Sequence, residues 1–278
     1  MQIHNEHPRN FKTYKYVYPV ISRRSKGLSL GINLNPDGKC TYNCVYCQVP
    51  EHEKTATDQV DLSILKTELK TVVEQIISDE IFTFEPFCHI QDTEKRVFRD
   101  IAIAGNGEPT IIPCLPEVMD IIGNLSTEIK LPQTVLITNA SGLHLEKTRT
   151  ALTTLADLNG CIWAKLDAGS PEFHKIVNRS NVSLERIIKN IADLPTEISL
   201  FIQTCWFNWN GKPPTNTEIL LYKEKLIQIL NKRPVTGIQI YTVARQPRES
   251  QVSPITINRL QEMALPLKEL PLNIEFYG

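Results

Sequence analysis

Cys40, Cys44 and Cys47 fall within the eight residues Cys40-Thr41-Tyr42-Asn43-Cys44-Val45-Tyr46-Cys47. Offsets of four and three let three thiolates reach one small object from a single loop, and soft thiolates select metal. With 7 cysteines in 278 residues, those two offsets recur by chance in roughly 0.4% of such chains, so the spacing is informative by itself. A structural zinc normally takes a fourth Cys or His. Here the next histidine is His52, beyond Pro50, and no Cys-x-x-Cys follows. The residues therefore tilt toward an iron–sulfur cluster held by three thiolates, where ferredoxin-type clusters use four. One iron would then lack a protein ligand and stay open to a small molecule.

A strand and its turn must deliver that loop. Leu28–Leu34 reads as a strand and Asn35-Pro36-Asp37-Gly38 as its turn, so the cysteines leave the carboxyl end of a strand. From Asp61 to Ile77 the apolar residues Leu62, Leu65, Leu69, Val72, Val73 and Ile76 recur every three or four positions, the period of an amphipathic helix. Residues 81–96 read as a polar, irregular excursion. Strands are then expected at Asp100–Ala104, Thr134–Thr138, Cys161–Asp167, Ile198–Cys205, Gly237–Val243 and Leu272–Tyr277. Helices are expected at Pro116–Leu125, His144–Leu155, Leu184–Leu194, Glu218–Leu230 and Ile257–Leu267, with Ser183 and Thr217 as N-caps. Alternating strands and helices predict an α/β fold of parallel strands, either open or curled into a barrel. The expected organisation is an arm over 1–27, a core domain over 28–250 and an extension over 251–278 that packs on it.

In such folds ligands gather at the carboxyl ends of the strands. The loop after Asp100–Ala104 is Gly105-Asn106-Gly107-Glu108-Pro109-Thr110, whose glycines let a backbone pass close to a ligand and whose proline sets the turn. In Cys161–Asp167, strand parity puts Trp163, Lys165 and Asp167 on one face. The same count puts Ser199 with Gln203, and Gln239 with Tyr241. A Lys and an Asp on a central strand are costly to bury unless paired with each other or bound to something polar. Three successive strands thus present a polar face, as a lumen holding a polar ligand would.

Composition sets the outer limits. Hydrophobic residues make up 41% and charged residues 22% of the chain, ordinary for a globular protein. No apolar run approaches a membrane span and the polar start is no signal peptide, so a cytoplasmic protein without membrane contact is expected. An odd cysteine count without a secretory signal argues against a disulfide framework. The net charge of −1 hides seven Lys/Arg against two acids in residues 1–50, and six against twelve in 51–100. Lys12, Lys15, Arg23, Arg24 and Lys26 can face a phosphate backbone or simply water. The singly scattered Cys88, Cys114, Cys161 and Cys205 are read as core residues rather than a second cluster.

The spacing Cys40-x-x-x-Cys44-x-x-Cys47 with Tyr46 before the last cysteine resembles the signature of the radical S-adenosylmethionine (radical SAM) enzymes. Further stretches resemble one branch of that superfamily. They are Ser22-Arg23-Arg24-Ser25-Lys26-Gly27-Leu28, Ala164-Lys165-Leu166-Asp167-Ala168-Gly169, Ile202-Gln203-Thr204 and Ile240-Tyr241-Thr242-Val243-Ala244-Arg245. That branch is the iron–sulfur oxidoreductases related to the wyosine-forming tRNA enzymes, and the likeness runs from about Arg23 to Arg248. It implies a partial (βα)6 radical SAM barrel and a 4Fe-4S cluster on Cys40, Cys44 and Cys47. It also implies bound S-adenosylmethionine, reductively cleaved to a 5′-deoxyadenosyl radical that abstracts hydrogen from a substrate. By the same resemblance the Gly105, Gly107, Glu108 and Pro109 stretch meets the methionine amino group. Thr138, Asn139, Lys165, Asp167 and Gln203 become candidates for the rest of the cofactor, and the backbone beside Tyr46 and the loop after Tyr241 flank adenine. An electron donor such as flavodoxin or ferredoxin and a substrate such as tRNA or another nucleic acid are the implied partners. The chain departs from the family at Cys205-Trp206-Phe207-Asn208-Trp209-Asn210-Gly211, where many relatives have a glycine-rich turn. Two other readings remain: an activating enzyme that places a glycyl radical on a partner protein, and a non-catalytic iron–sulfur or zinc protein.

Overall fold

A computed structural model describes residues 11–49 and 59–278, and His52 and residues 1–10 of the expected arm lie outside them. The described chain divides into two compact units, residues 11–39, 59–136 and 146–160 in the first and 40–49, 137–145 and 161–278 in the second.

In the first unit, β1 (Val17–Ser22) runs antiparallel to β2 (Gly27–Ile32). The helix α1 (Leu62–Ile77) begins on the expected period, capped by Asp61, whose carboxylate accepts the N–H groups of Ser63 and Ile64. After the short α2 (Thr93–Arg96), β3 (Phe98–Ile103) pairs in parallel with β2. The helix α3 (Leu115–Glu128) leads to β4 (Gln133–Thr138), again parallel, and α4 (Glu146–Asp157) follows.

Strand β1 lies inside the stretch read as an arm. Interleaved aromatics, bases and Pro19 hide its alternation, and Pro19 is tolerated because β1 is an edge strand. The buried Glu68 of α1 ties the edge down, because its carboxylate accepts the backbone N–H groups of Lys15, Tyr16 and Val17. An acid on the apolar face of a helix is stable there because three donors satisfy it.

In the second unit, β5 (Cys161–Lys165) is followed by α5 (Pro171–Asn178), α6 (Leu184–Ala192) and β6 (Ser199–Cys205). The two-residue β7 (Asn208–Trp209), α7 (Asn216–Leu230) and β8 (Gly237–Tyr241) come next, then β9 (Val252–Ser253), α8 (Ile257–Met263) and β10 (Asn273–Tyr277). Strands β5, β6, β8 and β10 form parallel neighbours in that order. The extension over 251–278 therefore contributes a strand to the sheet instead of only packing on it. The sequence reading omits α5, whose eight residues are too few to display a period; Pro171 and the Ser170 cap start it. The cap of α7 is Thr215, two residues before the expected Thr217. The segment over 205–211 becomes β7, an antiparallel partner of β9, with Phe207 buried.

Register confirms the expected polar face. Lys165 stands opposite Gln203, Gln203 opposite Gln239, and Gln239 opposite Glu275, a polar row across four strands.

Candidate functional site

The cysteine loop lies wholly within the second unit, and three later segments hold it. Helix α5 ends with carbonyl groups that have no partner of their own. Two are filled by the loop: Asn43 N–H donates to Asn178 O at 2.9 Å and Val45 N–H to Val177 O at 3.0 Å. The chain after β8 closes the other side, with Arg248 N–H on Cys47 O at 2.8 Å and the Arg248 guanidinium on Asn43 Oδ1 at 2.6 Å. Gln48 reaches Arg245 O at 2.6 Å. Below the loop, Val45 and Tyr46 pack with Val177, Cys205, Phe207, Val243 and Val252.

Amide donors aim at the sulfurs. Asn178 Nδ2 lies 3.4 Å from Cys44 Sγ, and Asn139 Nδ2 lies 3.6 Å from Cys40 Sγ and 2.9 Å from Thr41 Oγ1. The backbone N–H of Tyr42 lies 3.5 Å from Cys40 Sγ. Asn139 is held in turn by Ser141 N–H on its Oδ1 at 3.0 Å, beside Ala140 at φ 66°, a left-handed conformation costly for a residue with a Cβ. Cys40 is exposed, whereas Cys44 and Cys47 are half-buried. Burial pushes the Cys44 thiol up to about 11, against the opposing pull of Lys165.

Three thiolates make a soft donor set, of the kind that both zinc and iron–sulfur clusters take.

Asp167 is the hub beneath this loop. It is 3% exposed, and its Oδ2 accepts Tyr46 Oη at 2.5 Å and Asn178 Nδ2 at 3.0 Å while its Oδ1 accepts Cys205 N–H at 2.9 Å. Lys165 Nζ stands 3.9 Å from the same carboxylate, 2.7 Å from Tyr241 Oη and 4.3 Å from the Tyr46 ring centre. Burial alone would lower the Lys165 ammonium, but Asp167 and then Tyr241 outweigh it and hold it charged. Burial, followed by Asp167, drives the Tyr46 phenol well above its ordinary value. Asp167 and Tyr46 thus join the cysteine loop to the end of β5, and the Lys165–Asp167 pairing weighed from the sequence is present. Gln203, fully buried, donates to Gln239 Oε1 at 2.7 Å. Gly169 lets this segment press on α7, where a Cβ would stand 2.1 Å from Tyr222 N.

The glycine-rich loop belongs to the first unit. A Cβ on Gly105 would stand 2.1 Å from Asn33 Oδ1, and one on Gly107 would stand 1.8 Å from Lys39 O. Both glycines are therefore required by close approach. Asn33 Oδ1 accepts the N–H groups of Asn35 and Asn106 at 3.1 and 3.0 Å, and Asn35 Nδ2 donates to Lys39 O at 3.0 Å. Glu108 turns its carboxylate onto Thr110, whose N–H and hydroxyl it accepts at 3.1 and 2.5 Å, while Pro109 begins the following turn. Asn35 Oδ1 is buried, and among the described residues no donor reaches it. A buried acceptor without a donor fits a ligand ammonium group.

The structure thus brings Tyr46, Asn139, Lys165, Asp167, Gln203 and Tyr241 into the unit of the cysteines, and Gly105, Gly107, Glu108 and Pro109 into the other. Sequence reasoning missed Asn178, Asn33 and Asn35. The two earlier asparagines stood at a strand's carboxyl end, where ligands gather, and that signal was available. Asn178 had none, since its helix was itself unforeseen. Cys161 and Cys205 are buried as expected, Cys114 is half-buried, and Cys88 is exposed, against the expectation of a core residue.

No protein-family model matches the chain. A UPF0026 protein of Synechocystis sp. is 30% identical over 197 residues, covering 69% of this chain and 64% of that protein. A protein named GTPase Obg from Brachyspira hyodysenteriae is 23% identical over 269 residues, 93% of this chain and 34% of that protein. The chain thus spans about a third of the Brachyspira protein and just under two thirds of the Synechocystis one. It carries no Gly-x-x-x-x-Gly-Lys-Ser/Thr phosphate loop. Among solved structures, TYW1 with a lysine-pyruvate adduct bound aligns with a TM-score of 0.54 at 16% identity, covering 88% of this chain and 74% of that one. Streptococcus suis SuiB bound to S-adenosylmethionine aligns with a TM-score of 0.59 at 14% identity, covering 91% and 51%. Identities this low carry the fold alone, and it is the expected partial-barrel α/β fold. The chain is a sequence relative of the UPF0026 proteins with the fold of the radical SAM enzymes TYW1 and SuiB.

Proposed function

We propose that this protein is a radical SAM enzyme whose 4Fe-4S cluster is held by Cys40, Cys44 and Cys47. The observation that carries the reading is the set of amide donors on two of the three sulfurs, Asn139 on Cys40 and Asn178 on Cys44. Donors to sulfur stabilise thiolate charge and tune a bound cluster, whereas a core cysteine has no need of them. When bound, the cluster and S-adenosylmethionine supply a 5′-deoxyadenosyl radical for hydrogen abstraction.

The chain's own residues hold and exclude. Asn35 Oδ1 offers an acceptor to the methionine ammonium, and Gly105 and Gly107 let their loop pack closely against Asn33 and Lys39. Lys165 carries a fixed positive charge between two phenol rings, where a carboxylate or ribose oxygen is its natural partner. Gln203, beside Gln239, presents an amide on the same polar row, and Tyr241 adds a hydroxyl. Tyr46 and Phe207, ring centres 5.4 Å apart, keep water from beneath the thiolates. For the substrate we propose tRNA or another nucleic acid, supported by the sequence resemblance to the wyosine-forming tRNA enzymes and by Arg23 and Arg24, with flavodoxin or ferredoxin as the class of electron donor.

The test is anaerobic. Protein reconstituted with iron and sulfide, reduced, and given S-adenosylmethionine should form 5′-deoxyadenosine, and Cys44→Ala should lose it. No product from the wild type, or an undiminished amount from the variant, would leave a non-catalytic metal protein. A salt-dependent tRNA complex weakened by Arg23→Glu/Arg24→Glu supports the nucleic-acid substrate.

A further inference from the structure

We propose that Glu85, Cys88 and His89 form a second metal site, binding a zinc-class divalent cation and sharing no residue with the cysteine loop. A carboxylate oxygen, a thiol sulfur and an imidazole nitrogen from these residues all lie within 4.8 Å of one another. Among the described residues no other three His, Cys, Asp or Glu side chains do so.

The backbone explains the convergence. The segment Glu85-Pro86-Phe87-Cys88-His89 turns back through a 3-10 helix over Phe87–His89, and this tight turn brings Cys88 and His89 round to Glu85. Cys88 N–H donates to Phe84 O at 2.9 Å and Ile90 N–H to Phe87 O at 3.0 Å. Phe87 is buried, its ring edge-on to Phe11 at 5.9 Å, and Phe84 flanks Phe11 at 6.1 Å. Core aromatics thus pin a turn whose outward side chains are all exposed. His89 Nε2 already stands 2.9 Å from Glu85 Oε1. The Cys88 thiol hydrogen-bonds to the same Glu85 carboxylate, so all three groups converge on one point.

The donor set selects the ion. One sulfur, one nitrogen and one oxygen suit zinc, whereas calcium and magnesium ask for oxygen alone and cuprous copper for softer ligands. Three protein ligands leave one tetrahedral position for water or a further ligand. On binding, the Cys88 thiol gives its proton to solvent, and His89 binds as the neutral ring with its proton on the nitrogen away from the metal. No covalent or redox step is needed.

Residue-resolved thiol labelling tests this directly. The full chain, under argon with a phosphine reductant, is alkylated with iodoacetamide with and without zinc chloride, and peptide mass spectrometry follows the Cys88 peptide. Zinc should slow alkylation of Cys88 at least tenfold and magnesium should not. In His89→Ala and Glu85→Gln, which keep Cys88, most of that protection should vanish while the labelling rate of Cys114 stays the same. Equal Cys88 rates with and without zinc overturn the site, as does protection that survives undiminished in both variants. Because Cys88 is read on its own peptide, zinc taken up by Cys40, Cys44 or Cys47 does not affect the result.

Discussion

The cysteine loop and the glycine-rich loop are held in opposite ways. The first is suspended by side chains from far along the chain: Asn178 and Asp167 reach it across more than a hundred residues, and Arg248 across two hundred. The second needs bare positions, since Gly105 and Gly107 let the backbone run against Asn33 and Lys39, where Asn33 accepts the Asn106 N–H. One loop therefore fails by subtraction and the other by addition. Thiolates need their charge and direction supplied by neighbours, whereas a backbone cradle needs only room.

Removing the hub should show the largest effect. Asp167→Ala strands the half-buried Lys165 ammonium and three donors, and breaking a buried pair costs about 3–5 kcal/mol, an upper bound here, read as a lower denaturation midpoint. Reconstituted iron per chain should fall with it. Were Asp167→Ala to hold iron and stability at the wild-type level, the suspended-loop account would fail.

Next come the additions. Gly107→Ala forces a Cβ to 1.8 Å from Lys39 O, and overpacking of this kind costs about 1–3 kcal/mol or more. Gly123→Ala is the contrasting case, because inside α3 its nearest neighbour would be Thr154 Cγ2 at 3.8 Å, and exchanging a helical glycine for alanine gains about 1 kcal/mol. Paired urea titrations should move in opposite directions. If both variants moved alike, close approach would not be what Gly107 provides.

The smallest and most selective change is Asn178→Ala. It removes the amide from Cys44 Sγ and one of the donors to Asp167 while leaving every thiol in place. Loss of such a supporting group typically lowers metal affinity about 10–100-fold. Iron retention against a chelator should fall and the cluster's reduction potential should shift. Asn178→Leu, which keeps the bulk without the donor, should repeat the shift, and an unchanged potential in both would demote Asn178 to packing.

Much of the fold was legible because its signals are local. Periodic apolar residues marked α1, strand parity found the Lys165 to Gln239 row, and three cysteines in eight residues marked the loop. What escaped depended on partners distant in sequence. The strand β1 is ordered by Glu68, a helix residue some fifty positions later, and α5 is too short to announce itself. A singly placed cysteine such as Cys88 reads as a core residue, yet its turn presents it outward.

By itself, then, the sequence determined the element order, the three thiols and the glycines that must stay bare, since each is a matter of residue type and short-range spacing. Only the tertiary structure decided that Asp167 clamps the cysteine loop and that Asn139 and Asn178 face the sulfurs. Hydrogen bonds and ligand sets are satisfied in space, and no periodicity along a chain encodes which distant side chain will arrive to satisfy them.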